Sequence, residues 1–87
     1  MAIFKVLRVK VLEPRSSWGA PAYGELWRIG DETGAWMMGC PACGDPALLD
    51  HDVLVINGRA TISPSVLCPM LSCRAHYHVV DGEVRPA

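Results

Sequence analysis

Hydrophobic residues in this chain come in short bursts, and turn-forming residues separate one burst from the next. Ile3 to Leu12 mixes Val, Ile and Leu with Lys5, Arg8 and Lys10, the pattern of a strand with one wet face. Glu13 to Gly24 holds Pro14, Ser16, Ser17, Gly19, Pro21 and Gly24 and reads as a loop, although it also carries Trp18 and Tyr23. Glu25 to Ile29 and Ala35 to Met38 are short apolar runs joined by Gly30-Asp31-Glu32-Thr33-Gly34, which suits a hairpin. Val53 to Ile56 runs into Asn57-Gly58, the strongest short hairpin signal because both residues tolerate positive φ, and Arg59 to Ile62 is the return strand. Ser63-Pro64-Ser65 breaks the pattern before a further extended piece at Val66 to Cys68. Tyr77 to Val80, the turn Asp81-Gly82 and Glu83 to Arg85 form a last hairpin, and Pro86 ends it.

Helical periodicity is nearly absent. Its best candidate is Asp45 to Asp52, one or two turns opened by Asp-Pro as cap and first residue. The pattern predicts an all-β fold of short antiparallel hairpins. Cys40, Cys43 and Cys73, with His76, add one metal site to it, so the expected architecture is a small zinc-ribbon-like domain. Residues 1–87 form a single domain, with 1–34 as an N-terminal part (strand, aromatic loop and hairpin) and 35–87 as the metal-binding part.

Size adds a constraint to this picture. The chain has 87 residues, of which 51% are hydrophobic, a globular composition. A domain this short buries only about 60–65% of its unfolded surface, so it benefits from a staple. Four cysteines can supply one. The first ten residues are interrupted by charge and lack the apolar core of a secretion signal, and no run reaches the ~20 apolar residues of a membrane span. The expected location is therefore the cytoplasm, where clustered cysteines bind metal more often than they pair as disulfides.

Cys40-Pro41-Ala42-Cys43-Gly44 has the form of a metal-binding turn. Two intervening residues let both thiolates reach one ion at about 2.3 Å. Pro41 fixes one φ, and Gly44 lets the backbone curl beneath the second sulfur. Cys73-Arg74-Ala75-His76 repeats the spacing and supplies the other half of a tetrahedral Zn2+ site, so the expected ligands are Cys40, Cys43, Cys73 and His76. Cys68 and His78 are rivals for the fourth position, and the choice between zinc and iron stays open. The Cys68 to Cys73 spacing is loose for a turn pair and contains Pro69, so Cys68 reads first as a small buried hydrophobe. His51, in an acidic stretch, reads as solvated. The Cys-Pro-x-Cys element lacks the βαβ context of a thioredoxin-like redox site. The His-x-Glu of zinc deaminases is also missing.

The segments Cys40-Pro41-x-Cys43-Gly44, Ala60-Thr61-Ile62-Ser63-Pro64-Ser65-Val66 and Cys73-Arg74-Ala75-His76-Tyr77-His78-Val79, followed by Gly82-Glu83-Val84, carry a resemblance. Together, over about Trp36 to Val84, they resemble a family of small uncharacterised domains encoded by phages, prophages and mobile elements. The resemblance implies metal-binding roles for Cys40, Cys43, Cys73 and His76 and a phage or prophage origin. It implies no activity. Many relatives have a more compressed first pair with an extra Cys nearby, which keeps Cys68 in view.

Net charge is −1, which argues against a dominant nucleic-acid footprint, although Lys5, Arg8, Lys10, Arg15 and Arg28 make the first third basic. The expected function is a non-catalytic zinc-stabilised module, a phage accessory protein acting by protein–protein interaction, with Trp18, Tyr23 and Trp27 as candidate contact residues. The alternative is a nucleic-acid-binding zinc ribbon. A zinc enzyme using His51 or His78 ranks third, because four protein ligands leave no place for water.

Overall fold

The computed structural model describes residues 3–14, 20–30 and 34–87. Eight strands appear in this order: β1 (Lys10–Val11), β2 (Glu25–Arg28), β3 (Trp36–Gly39), β4 (Pro46–Leu49), β5 (Asp52–Ile56), β6 (Arg59–Leu67), β7 (His76–Val80) and β8 (Glu83–Pro86). Among the described residues there is no helix. The strands form two four-stranded sheets, β1-β2-β3-β4 and β5-β6-β7-β8. All neighbours are antiparallel except β1 and β2, which run parallel.

The hairpins form where the turn chemistry places them. Asn57 and Gly58 adopt φ of 53° and 75°, and Asp81 and Gly82 adopt 51° and 81°. Both pairs therefore make the doubly left-handed turn whose twist matches the flanking strands. Val53 pairs with Ile62 across the first, and Val79 with Val84 across the second. The β2–β3 hairpin sets Leu26 opposite Met38.

Two expectations change. Asp45 to Asp52 contains strand β4, with Trp36 opposite Leu49 and Met38 opposite Ala47. Eight residues hold too few turns to offset helix nucleation, and the preceding tight turn returns them directly alongside β3. Arg59 to Leu67 is also one strand and not two pieces, because the break at Ser63-Pro64-Ser65 is absorbed by a register shift between Ile62 and Val66. Proline has no N–H for the ladder, so a bulge is where a central strand can carry one.

The inner faces of both sheets share one core. Leu26 and Met38 come from the first sheet, and Ile62, Val66, Tyr77, Val79 and Val84 from the second. Phe4 meets the Tyr77 ring edge-on at 5.7 Å. The N-terminal segment ties the parts together. Lys5 N–H donates to Pro41 O at 2.7 Å, Val84 N–H to Leu7 O at 2.9 Å, and Lys10 N–H to Gly24 O at 2.9 Å. Only Lys10–Val11 of the predicted first strand is regular, because the segment passes from the β8 edge to the β2 edge in a few residues. The opposite edges, β4 and β5, are the outermost strands of their sheets.

Candidate metal centre

Two loops carry the four cysteines, and each closes the end of a hairpin. The first follows β3 and leads into β4. Gly44 N–H donates to Cys40 O at 2.8 Å and Cys40 N–H to Asp45 O at 3.0 Å, so the chain curls tightly around Cys40–Cys43. Gly44 sits at φ 81°, the left-handed region this curl demands, and a Cβ there would stand 3.0 Å from the Tyr23 ring. Ala42 N–H points at Cys40 Sγ, 3.4 Å away, as an amide supporting a thiolate would. Gly39 lets the Pro21–Ala22 backbone lie directly against the loop's base, since a Cβ there would overlap Ala22's carbonyl oxygen.

The second loop is the same turn widened by two residues. It joins β6 to β7. Arg74 N–H donates to Met70 O at 2.9 Å, repeating the Gly44-to-Cys40 bond, and Arg74 occupies the left-handed region at φ 53°. Cys68 N–H donates to Ala75 O at 2.8 Å, as Cys40 N–H does to Asp45 O. In both loops the first cysteine bonds to the residue two beyond the second. Met70 takes the acceptor place that Cys40 fills in the first loop, so Cys68 and Pro69 are the two extra residues and Cys68 stands directly after β6, outside the turn itself.

These loops bring Cys40, Cys43, Cys68 and Cys73 together, with all four Sγ atoms within 4.8 Å of one another. Cys40 Sγ lies 3.9 Å from Cys73 Sγ, and Cys43 Sγ lies 3.7 Å from Cys68 Sγ. A disulfide requires about 2.05 Å, so all four are free thiols. Four sulfurs set tetrahedrally at about 2.3 Å from one ion would be about 3.8 Å apart, which matches both distances. The donor set therefore fits a metal ion, with one cysteine pair from each sheet.

The electrostatics favour a cation. Cys68 is 2% exposed, and its thiol is pushed up to about 12, chiefly by burial and further by its three cysteine neighbours, against a lowering backbone bond at Met70. Tyr77, beneath the cluster, is held protonated well above the ordinary phenol range by burial and then by the same cysteines. The buried Cys68 thiol ionises in such a setting only with a compensating positive charge beside it.

Of the expected ligands, Cys40, Cys43 and Cys73 join the group; Cys68, the rival for the fourth place, completes it, and His76 stands outside it. The reason is strand parity. His76 is the first residue of β7, where alternate side chains face opposite ways, and buried Tyr77 takes the core side with the cysteines. His76 is left exposed, 2.7 Å from Ser65 Oγ through Nε2. His78 shares that outer face, its ring 6.5 Å from His76. His51 is not solvated as expected: its side chain is 19% exposed, and Nε2–H donates to Ser65 O at 3.1 Å.

No protein-family model, curated protein or solved structure matches this chain.

The proposed contact aromatics divide. Trp18 lies outside the described residues. Trp27 is 2% exposed and is not available as a surface anchor. Tyr23 is exposed on one side while its ring covers Gly44 of the first loop, so it belongs to the support of the centre. A signal for Cys68 was present in the repeated Cys-Pro at Cys40-Pro41 and Cys68-Pro69. It was obscured because an arginine, and not a glycine, takes the left-handed position of the second loop.

Proposed function

We propose that this protein is a zinc-stabilised, non-catalytic binding module that works by protein–protein contact. The observation that carries the reading is the closed set of four sulfurs drawn from two hairpins, one in each sheet. Zinc suits it because Zn2+ accepts four thiolates tetrahedrally and has no redox chemistry of its own to disturb a structural role. When bound, the ion would supply a cross-link between the sheets. Cys40 and Cys43 would hold it from the first, and Cys68 and Cys73 from the second. With four protein donors no coordination position is left for water or substrate, which supports a structural and not a hydrolytic role.

Support for the binding half comes from what the fold leaves outside. Leu48, Leu54, Ile56 and Leu71 are each more than half exposed, which leaves large apolar side chains available to a partner. The motif resemblance supports an accessory role in a phage or prophage, and free thiols held apart suit the cytoplasm of a host cell.

Metal analysis with native mass spectrometry tests the metal half. One zinc per chain, and loss of the cooperative melt on chelation, are expected. A stable metal-free fold would contradict it. A colourless purified protein separates zinc from a four-thiolate iron site, which absorbs in the visible. For the binding half, specific recovery of a protein partner that depends on the exposed leucines is expected, and salt-sensitive binding to DNA or RNA instead would favour the nucleic-acid alternative.

A further inference from the structure

A cleft of about 190 Å³ lies between β4 of the first sheet and the end of β6 in the second, directly beside the cysteine centre. Its apolar lining includes Met38, Ala47, Leu49, Val66 and Tyr77. An apolar cavity of about 150 Å³ accepts a benzene-sized group, so this one has room for a single large side chain. The charged groups among its lining residues are Asp45 and Asp50, with His51 between the walls, and no lysine or arginine joins them.

One wall is also an unpaired strand edge. Cys40 N–H bonds to Asp45 O, and that bond sets the phase of the β3–β4 ladder. In an antiparallel pair, bonded and non-bonded positions alternate, so Met38–Ala47 and Trp36–Leu49 exchange bonds. Met37–Leu48 does not, and the Leu48 N–H and C=O point away from β3. Gly24 N–H reaching Gly39 O from the β2 side confirms the phase. Leu48 makes no backbone bond to another described residue beyond its ladder, and neither a proline nor a lysine blocks this edge at Ala47, Leu48 or Leu49.

From these features we infer that the cleft is a docking site for an extended segment of a partner protein, with a large apolar residue flanked two positions away on each side by lysine or arginine. The segment adds to the β4 edge through Leu48 N–H and C=O, as peptides add to other open sheets. Its apolar side chain fills the cleft. Residues two apart share a face, so its two basic residues stand about 14 Å from each other. Asp45 and Asp50 flank the two ends of β4 and both line the cleft, where long basic side chains reach them. The inference rests on the reading of this domain as a protein-binding module and names the partner chemistry of one face.

The test uses the full zinc-loaded chain and three synthetic peptides. The first has the core Thr-Lys-Thr-Phe-Thr-Lys-Thr, the second replaces Phe by Ser, and the third replaces both Lys by Glu. Affinity is read by fluorescence anisotropy and the contact surface by amide shifts. The first peptide is expected to bind with shifts centred on Leu48, Asp50 and Val66, and the other two at least ~10-fold more weakly. Asp50→Lys, at a fully exposed position, should weaken the lysine peptide and strengthen the glutamate peptide. Leu48→Pro removes the outward N–H at a position where an edge strand tolerates proline, and should weaken the first peptide without releasing zinc. Absence of shifts along β4, or no exchange of preference with Asp50→Lys, overturns the inference. A partner retained equally by wild type and Leu48→Pro would also overturn it, while leaving the binding-module reading intact.

Discussion

Replacing Cys68 and His76 separately distinguishes the two ligand sets. In small zinc domains the bound ion contributes about 10–16 kcal/mol to folding, so an equal share for each of four ligands is about 3–4 kcal/mol. An 87-residue domain has a net stability of about 4–13 kcal/mol, so the loss of Cys68 should consume much of it. With an unfolding entropy of about 0.18 kcal/mol per degree for this length, Cys68→Ser should lower Tm by about 15–20 °C. His76 is exposed and makes one hydrogen bond to Ser65, worth no more than about 1 kcal/mol, or about 5 °C for His76→Ala. The assay is a thermal melt by circular dichroism with one equivalent of zinc, repeated with cobalt to follow the sulfur-to-metal absorption. Cys68→Ser should weaken that band, and His76→Ala should leave it unchanged. After chelation both variants should lose the cooperative melt, as the unmodified chain does, so the gap between them closes. A His76→Ala variant that loses as much metal affinity as Cys68→Ser, or a Cys68→Ser variant that keeps its zinc and its Tm, would refute the reasoning.

The two loops make opposite predictions at equivalent positions. Gly44→Ala should destabilise by about 1–2 kcal/mol, because φ 81° strains any Cβ and Tyr23 occupies the space, whereas Arg74→Gly should be neutral or stabilise by up to about 1 kcal/mol, both read by chemical denaturation. Gly39→Ala should be worse than either, because backbone and not a flexible side chain blocks the Cβ, and it should fail to give a cooperative melt. Zinc-loaded protein should lose stability as pH falls, releasing metal as protons compete for the thiolates, which a zinc-sensitive dye can follow.

The hairpins were legible because each depended on local chemistry. Asn57-Gly58 and Asp81-Gly82 announce their turns within two residues, and the apolar alternation of β7 and β8 states which face is buried. Strand β4 was hidden because Asp-Pro is a good helix opening in isolation, and only pairing with β3 assigns it to a sheet. The first cysteine loop could be read from its Pro and Gly. The second could not, because its closing residue is Arg74 and four residues separate its cysteines where two separate the first pair. The Cys73-to-His76 spacing looked like a turn pair, yet His76 already belongs to a strand whose parity turns it outward. Spacing specifies a ligand pair only when both residues lie within the same turn.

X-ray absorption at the zinc edge of the purified, zinc-loaded chain tests the central claim most directly. Four sulfur neighbours at about 2.3 Å, with one metal per chain, are the predicted result. A shell of three sulfurs and one nitrogen near 2.0 Å, or a chain that folds cooperatively while holding no metal, would contradict it.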